Sequence, residues 1–201
     1  MGRPPKFSAE EILDKALPVF WRRGFAATTL EELESATGLG RQCLYNQFTD
    51  KLGLYRAAVR RYGDLSAAAT APLRAPGATI DTIQAFFARG RKHQRSLDCG
   101  GCLYARLAAE KLDDAEVAAV VAAGTAAVRA AMAAIIAREM AAGRIRDARP
   151  PEQIADFLWS VNTGAASLGQ TADGAAAADN VMRLAIDLLV APAQPPALAT
   201  A

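Results

Sequence analysis

Apolar residues along this chain recur three and four positions apart, rarely two, over nearly its whole length. That is the spacing of helices with one buried side. Alanine is abundant and β-branched clusters are scarce, which favours the same state. An all-α protein of about nine helices is expected. Ser8 and Glu11 form a capping box that opens a first helix, with Ile12, Ala16, Val19 and Phe20 on its buried side and Gly24 as its stop. Pro18 falls inside that helix, where a missing N–H and a ring clash cost ~3 kcal/mol, so a bend is predicted between Asp14 and Pro18. Thr29 and Glu32 repeat the capping box for a helix over 30–36 that Gly38 closes, and the next helix runs over 40–47.

A fourth helix starts near Asp50, carries Leu54, Tyr55, Ala58 and Tyr62 on one side, and fades in the stretch AAATAPLRAPGAT. Longer helices are predicted over 79–97, 102–112, 115–142, 151–170 and 173–190. Pro150 and Pro151 suit the first turn of the fourth of these. The Pro/Ala-rich tail APAQPPALATA is expected to be disordered. The pattern divides the chain into an amino-terminal domain over 1–62, a carboxy-terminal domain over 63–191 and a tail over 192–201.

The helix over 40–47 is short and unusually polar. At ~100° per residue, Leu44 and Phe48 share one side, while Gln42, Asn46 and Cys43 point away from it and Tyr45 and Gln47 fall on the flanks. Amides at the tip with polar groups on both flanks suit a groove lined by base edges and sugar-phosphate walls. Two short helices joined by TGLG and braced by a third match a helix-turn-helix, whose second helix enters the major groove. A solvated helical hairpin has the same pattern.

Charge changes this picture little. The formal net charge is +2, with ten Lys/Arg against seven Asp/Glu through Tyr62 and thirteen against fourteen after it. The basic amino-terminal end permits a nucleic-acid partner without demanding one. MGRPPKF opens no signal peptide, and no stretch is expected to reach the ~18 apolar residues of a membrane span, so a cytoplasmic protein with no membrane partner is expected.

The stretch FWRRGFAATTLEELESATGLGRQCLYNQFTDKLGLY resembles the DNA-binding signature of the tetracycline-repressor (TetR) family of transcriptional regulators. The resemblance runs from about Phe7 to Tyr62. It is carried by an ordered set: Phe20, Gly24, Phe25, Thr28, Thr29, Leu33, Gly38, Leu44, Tyr45, Phe48 and Lys51. It implies that Arg41, Gln42 and Asn46 read bases while Thr28, Tyr45, Gln47 and Lys51 hold phosphates. Cys43 stands where Ser, Ala or Thr is more common, Gln47 where His often sits, and Glu34 where Ala is frequent. Arg3 and Lys6 could add minor-groove or phosphate contacts from the amino-terminal arm.

The resemblance also implies a double-stranded DNA operator, a small-molecule effector held in the carboxy-terminal helices, and a homodimer through the last two. Independent support for the dimer comes from stripes too broad for one small domain to cover: Ile154, Phe157, Leu158, Val161, Ala165 and Leu168, then Val181, Leu184, Ala185, Leu188 and Leu189. Phe86, Phe87, Tyr104, Met132, Ile136 and Trp159 could line an effector cavity, although at helical spacing the same residues also read as core.

Cys99 and Cys102 stand at C-x-x-C spacing ahead of a helix, where the macrodipole would favour thiolates. Redox or electrophile sensing and plain packing both fit. Three cysteines do not make a disulfide framework. A zinc site would need a fourth ligand beyond His93, Cys99 and Cys102, and only Asp98 is close, so neither metal nor cofactor is expected. Arg89, Arg91, Lys92 and Arg95 cluster near a helix carboxy end, where cations complement the dipole; an acidic effector is the alternative partner. The single histidine has no Ser/Asp or Cys partner pattern and no phosphate-cradling loop exists, so no enzyme is expected.

Overall fold

The computed structural model describes residues 8–110, 113–168 and 174–190. Nine α-helices account for most of these residues: α1 (Ala9–Ala27), α2 (Leu30–Thr37), α3 (Arg41–Phe48), α4 (Lys51–Ala69), α5 (Ile80–Ser96), α6 (Leu103–Ala109), α7 (Ala115–Ala141), α8 (Pro151–Leu168) and α9 (Gly174–Asp187). A short 3-10 helix, Ala71–Arg74, follows α4. Arg3, Lys6 and the tail over 192–201 lie outside the described residues.

Both capping boxes form. Ser8 Oγ accepts from the Glu11 N–H at 3.2 Å while Glu11 takes the Ser8 N–H at 2.7 Å, and Thr29 and Glu32 do the same at 3.2 and 2.9 Å. The break in helical dihedrals falls at Gly24 and not at Pro18. Helical dihedrals run through Pro18, and α1 departs from them only at Gly24 (φ 77°, ψ 172°). Leu17, Val19, Phe20 and Trp21 are all buried around that proline, and the break sits instead at a glycine, which takes a positive φ freely.

Two apolar clusters form the interior. One joins α1, α2, α3 and α4 through Ile12, Phe20, Leu33, Leu44, Leu54 and Tyr55, and it extends into α6 and α7 through Leu103, Leu107 and Val117. The other gathers α5, α7, α8 and α9 around Ile83, Phe87, Met132, Ile136, Leu158 and Met182. Helix α4 runs past Tyr62 without a break, so the two halves share it. Arg91 is buried, with Nε 2.9 Å from Asp179 Oδ1 and Nη1 3.2 Å from Asn162 Oδ1. It ties α5 to α8 and α9, while Arg89, Lys92 and Arg95 are exposed.

Helix α7 corrects one sequence expectation. Its best 18-residue window has a mean hydropathy of 1.9, enough by length and composition alone to cross a membrane. It packs on α4, α6 and α8, and Arg129 within it bonds Asp156 of α8 at 2.6 Å.

Candidate nucleic-acid interface

Helix α3 is placed by its neighbours. Leu44, fully buried, anchors it among Leu33 and Leu54. Thr37 Oγ1 donates to Leu33 O at 2.7 Å and accepts from the Leu39 N–H at 3.3 Å, which fixes the α2–α3 turn. Gly38 closes α2 in the left-handed conformation (φ 73°, ψ 21°). Gly40, at the head of α3, has no side chain to cap the helix. Glu34 supplies the missing cap, with its Oε1 accepting the Arg41 N–H. The unusual glutamate of α2 thus satisfies a donor that helix geometry leaves orphaned. No local capping pattern signals this contact, because the two residues are seven apart on different helices.

The outer side of α3 presents Arg41, Gln42, Cys43, Asn46 and Gln47 to solvent. Tyr45 is half-buried beneath the Arg41 guanidinium, which lies 5.3 Å from its ring centre. Lys51 Nζ stands 4.7 Å from the Phe25 ring centre and 3.5 Å from Ala26 O, so its ammonium is steered to the α1 side of the helix. Thr28 differs from its expected role. Its side chain is 2% exposed and its hydroxyl donates to Gly24 O at 2.7 Å, holding the α1–α2 corner and leaving no outward hydroxyl for a phosphate.

This amino-terminal head is bolted to the carboxy-terminal helices by contacts that sequence reading missed. Trp21 Nε1 donates to Gly101 O at 3.2 Å, and Arg22 Nη1 to Leu97 O at 2.9 Å. Glu110, at the end of α6, accepts from Tyr55 Oη at 2.7 Å and from the Phe25 N–H at 3.4 Å. Burial, then this carboxylate, pushes the Tyr55 phenol pKa well up. Arg56 bonds Asp114, whose carboxylate also caps α7. The Arg56 hydrogen bond holds Asp114 below the usual carboxylate range.

A cavity of about 440 Å³ lies between α1, α4, α5, α6, α7 and α8. Phe86, Phe87, Tyr104 and Trp159 line it as expected, joined by Trp21 and Tyr62. Met132 and Ile136 do not. Both are fully buried in the carboxy-terminal core, where helical spacing looks the same as it does on a cavity wall.

Cys99 and Cys102 are buried reduced thiols, and burial raises the pKa of both. The thiolates expected from the helix dipole are therefore not favoured: α6 has only seven residues, and desolvation of the charged form outweighs its field. Cys43 is exposed.

Helices α8 and α9, with the turn after α9, keep Ile154, Leu158, Ala165, Ala185 and Leu189 inside. Phe157, Leu168, Val181, Leu184 and Leu188 remain exposed, the last two at 59% and 75%.

Comparison with known proteins agrees with this architecture. The family of bacterial regulatory proteins of the TetR type matches residues 12–58, and the tetracycline-repressor-like carboxy-terminal domain matches 79–185. The HTH-type transcriptional repressor ComR of Escherichia coli is 48% identical over 67 residues, which is 33% of this chain and 32% of ComR. The chain thus matches about a third of the length of that relative. A TetR-family regulator from Agrobacterium tumefaciens superposes with a TM-score of 0.82 at 19% identity, covering 91% of this chain and 97% of that one. A cysteine mutant of the TetR-family regulator CifR, solved with a 26-base-pair operator duplex, superposes with a TM-score of 0.73 at 23% identity, covering 96% and 100%. With both halves of the chain matched and the helix-turn-helix in place, this protein belongs to the TetR family of DNA-binding transcriptional regulators.

Proposed function

We propose that the protein is a ligand-responsive repressor that grips a palindromic operator as a homodimer and works in the cytoplasm. The observation that carries this reading is α3 itself, in which one leucine is fully buried while Arg41, Gln42, Cys43, Asn46 and Gln47 face outward. Placed in a major groove, Arg41, Gln42 and Asn46 meet base edges, and Tyr45, Gln47 and Lys51 meet phosphates. The ComR repressor and the operator-bound CifR mutant support a DNA target.

The exposed stripe of α8 and α9 supplies the dimer seam, which a two-fold interface would cover. The cavity beside Trp21 and Tyr104 receives the effector. Because α1 forms part of its wall, occupancy there biases the spacing of the two α3 helices. Selection of binding sites from random duplexes tests the reading. Enrichment of a two-fold symmetric sequence is expected, and failure to enrich any sequence contradicts it.

A further inference from the structure

The polar side chains on the wall of this cavity differ in what they can offer a ligand. Ser66 and Gln94 are half-buried and His93 is exposed. A hydroxyl rotates, a primary amide turns over, and a neutral imidazole carries one donor and one acceptor nitrogen, so these three can meet either a donor or an acceptor. The Tyr62 hydroxyl has the same latitude. That of Tyr104 is closed off, with its oxygen directly against Gly124 of α7. Asp14 only accepts, and Arg61 already holds it through Nε at 2.8 Å and Nη2 at 3.1 Å.

Asn162 has no such freedom. It is buried, and its Oδ1 accepts from Arg91 Nη1 at 3.2 Å. Arg91 is buried in turn and pinned to Asp179 Oδ1 of α9 through Nε at 2.9 Å and Nη2 at 2.8 Å. A guanidinium only donates, so turning the amide over would set its N–H₂ against N–H and leave a buried oxygen unpaired, which is unfavourable. Asn162 lines the cavity and Arg91 does not. The amide therefore keeps its oxygen toward Arg91 and its N–H₂ for the cavity, and no described residue accepts from that group. The charge on the oxygen side polarises the N–H₂ into a stronger donor.

We propose that Asn162 determines which ligand the cavity takes: an aromatic body seated among Trp21, Tyr62, Phe86, Phe87 and Trp159, carrying a carbonyl or similar oxygen that accepts from the Asn162 N–H₂. This rests on the reading of the cavity as the effector site. Three probes of nearly one shape separate the possibilities by calorimetry on the full chain: methyl naphthyl ketone, which only accepts, naphthylethanol, which accepts and donates, and ethylnaphthalene, which does neither. Ketone and alcohol should each bind about threefold to tenfold more tightly than the hydrocarbon, the effect of one hydrogen bond. Asn162→Asp keeps an oxygen on Arg91 and puts a second oxygen where the N–H₂ stood. In that variant the ketone should fall to the affinity of the hydrocarbon or below, while the alcohol, turning its O–H to the carboxylate, keeps an advantage of about threefold or more.

A ketone no tighter than ethylnaphthalene in the wild type, a ketone advantage that survives in Asn162→Asp, or an alcohol that loses its advantage along with the ketone overturns the proposal. Occupancy of the cavity is read separately. Both tryptophans of the chain stand on its wall, so a probe held there shifts the indole N–H signals of Trp21 and Trp159 in nitrogen–proton correlation spectra, whatever Asn162 does. Probes that bind and leave both signals in place, or no binding by any probe, remove the cavity reading together with the proposal.

Discussion

Replacing Gly24 by alanine tests how the DNA-binding head is fastened to the rest of the molecule. Alanine at φ 77°, ψ 172° is strained by about 1–3 kcal/mol. The new Cβ would also lie 2.2 Å from Glu110 Oε1 and 3.1 Å from its carboxyl carbon, so the carboxylate must swing away and release Tyr55 Oη. A hydrogen bond to a charged group contributes about 1.5–3 kcal/mol, and here its loss leaves a buried phenol unpaired. Against these, alanine narrows the unfolded ensemble and returns about 0.4–1 kcal/mol.

The net destabilisation of Gly24→Ala is about 2–5 kcal/mol, which at a urea slope near ~2 kcal/mol/M lowers the midpoint by roughly 1–2.5 M. Urea titration followed by helical circular dichroism reads it. In a Glu110→Ala background the collision is gone, so Gly24→Ala should cost only the strain, about 1–3 kcal/mol. An unchanged midpoint in the single variant, or fully additive costs in the double variant, refutes the reasoning.

Other expectations follow from burial and charge. Glutamate at both Leu184 and Leu188 places unpaired charge on the proposed dimer seam, and sedimentation should show monomers where the wild type is dimeric; an intact dimer puts the seam elsewhere. A thiol reagent should modify Cys43 quickly and reach Cys99 and Cys102 only on unfolding, since burial keeps both protonated; three equal rates contradict this. Glu139 is buried, and its carboxyl is held below the usual range by Arg144 through bonds of 2.8 and 2.7 Å. A depressed carboxylate pKa stabilises the fold above the unfolded value of 4.5, and that contribution fades as pH falls through the folded pKa. Arg144→Ala should therefore lower the urea midpoint at pH 7, by less than the loss of a fully buried pair because Arg144 is 56% exposed. Urea midpoints of the two proteins should converge below pH 4.5; a gap independent of pH rules this out.

Much of this molecule was legible in local sequence pattern. The two capping boxes, the left-handed Gly38 and the inward Leu44 of α3 depend on residues within a turn or two of one another, and each forms as expected. What escaped depends on distance. Trp21 meets Gly101 across eighty residues, Glu110 meets Tyr55 across fifty-five, and Glu34 caps a different helix. Pro18 stays within helical dihedrals among four buried neighbours, and the break in α1 falls at Gly24. Met132 is open between core and cavity wall in the sequence, and it lies in the core; periodicity places a residue on an inner face without saying whether another side chain or a void lies opposite. The C-x-x-C spacing leaves packing and redox sensing both open, because spacing does not show the burial that raises both thiol pKa values.

The central claim, that α3 reads bases, is tested most directly by the affinity of Gln42→Ala and Asn46→Ala for the selected operator and for a scrambled duplex of the same length, at several salt concentrations. Each variant should lose about 1–3 kcal/mol on the operator and almost nothing on the scrambled duplex. Lys51→Ala, by contrast, should weaken both duplexes alike and reduce the salt slope by about 1 per subunit contact. An operator-to-scrambled ratio that survives both amide substitutions intact would contradict the placement of α3 in the major groove.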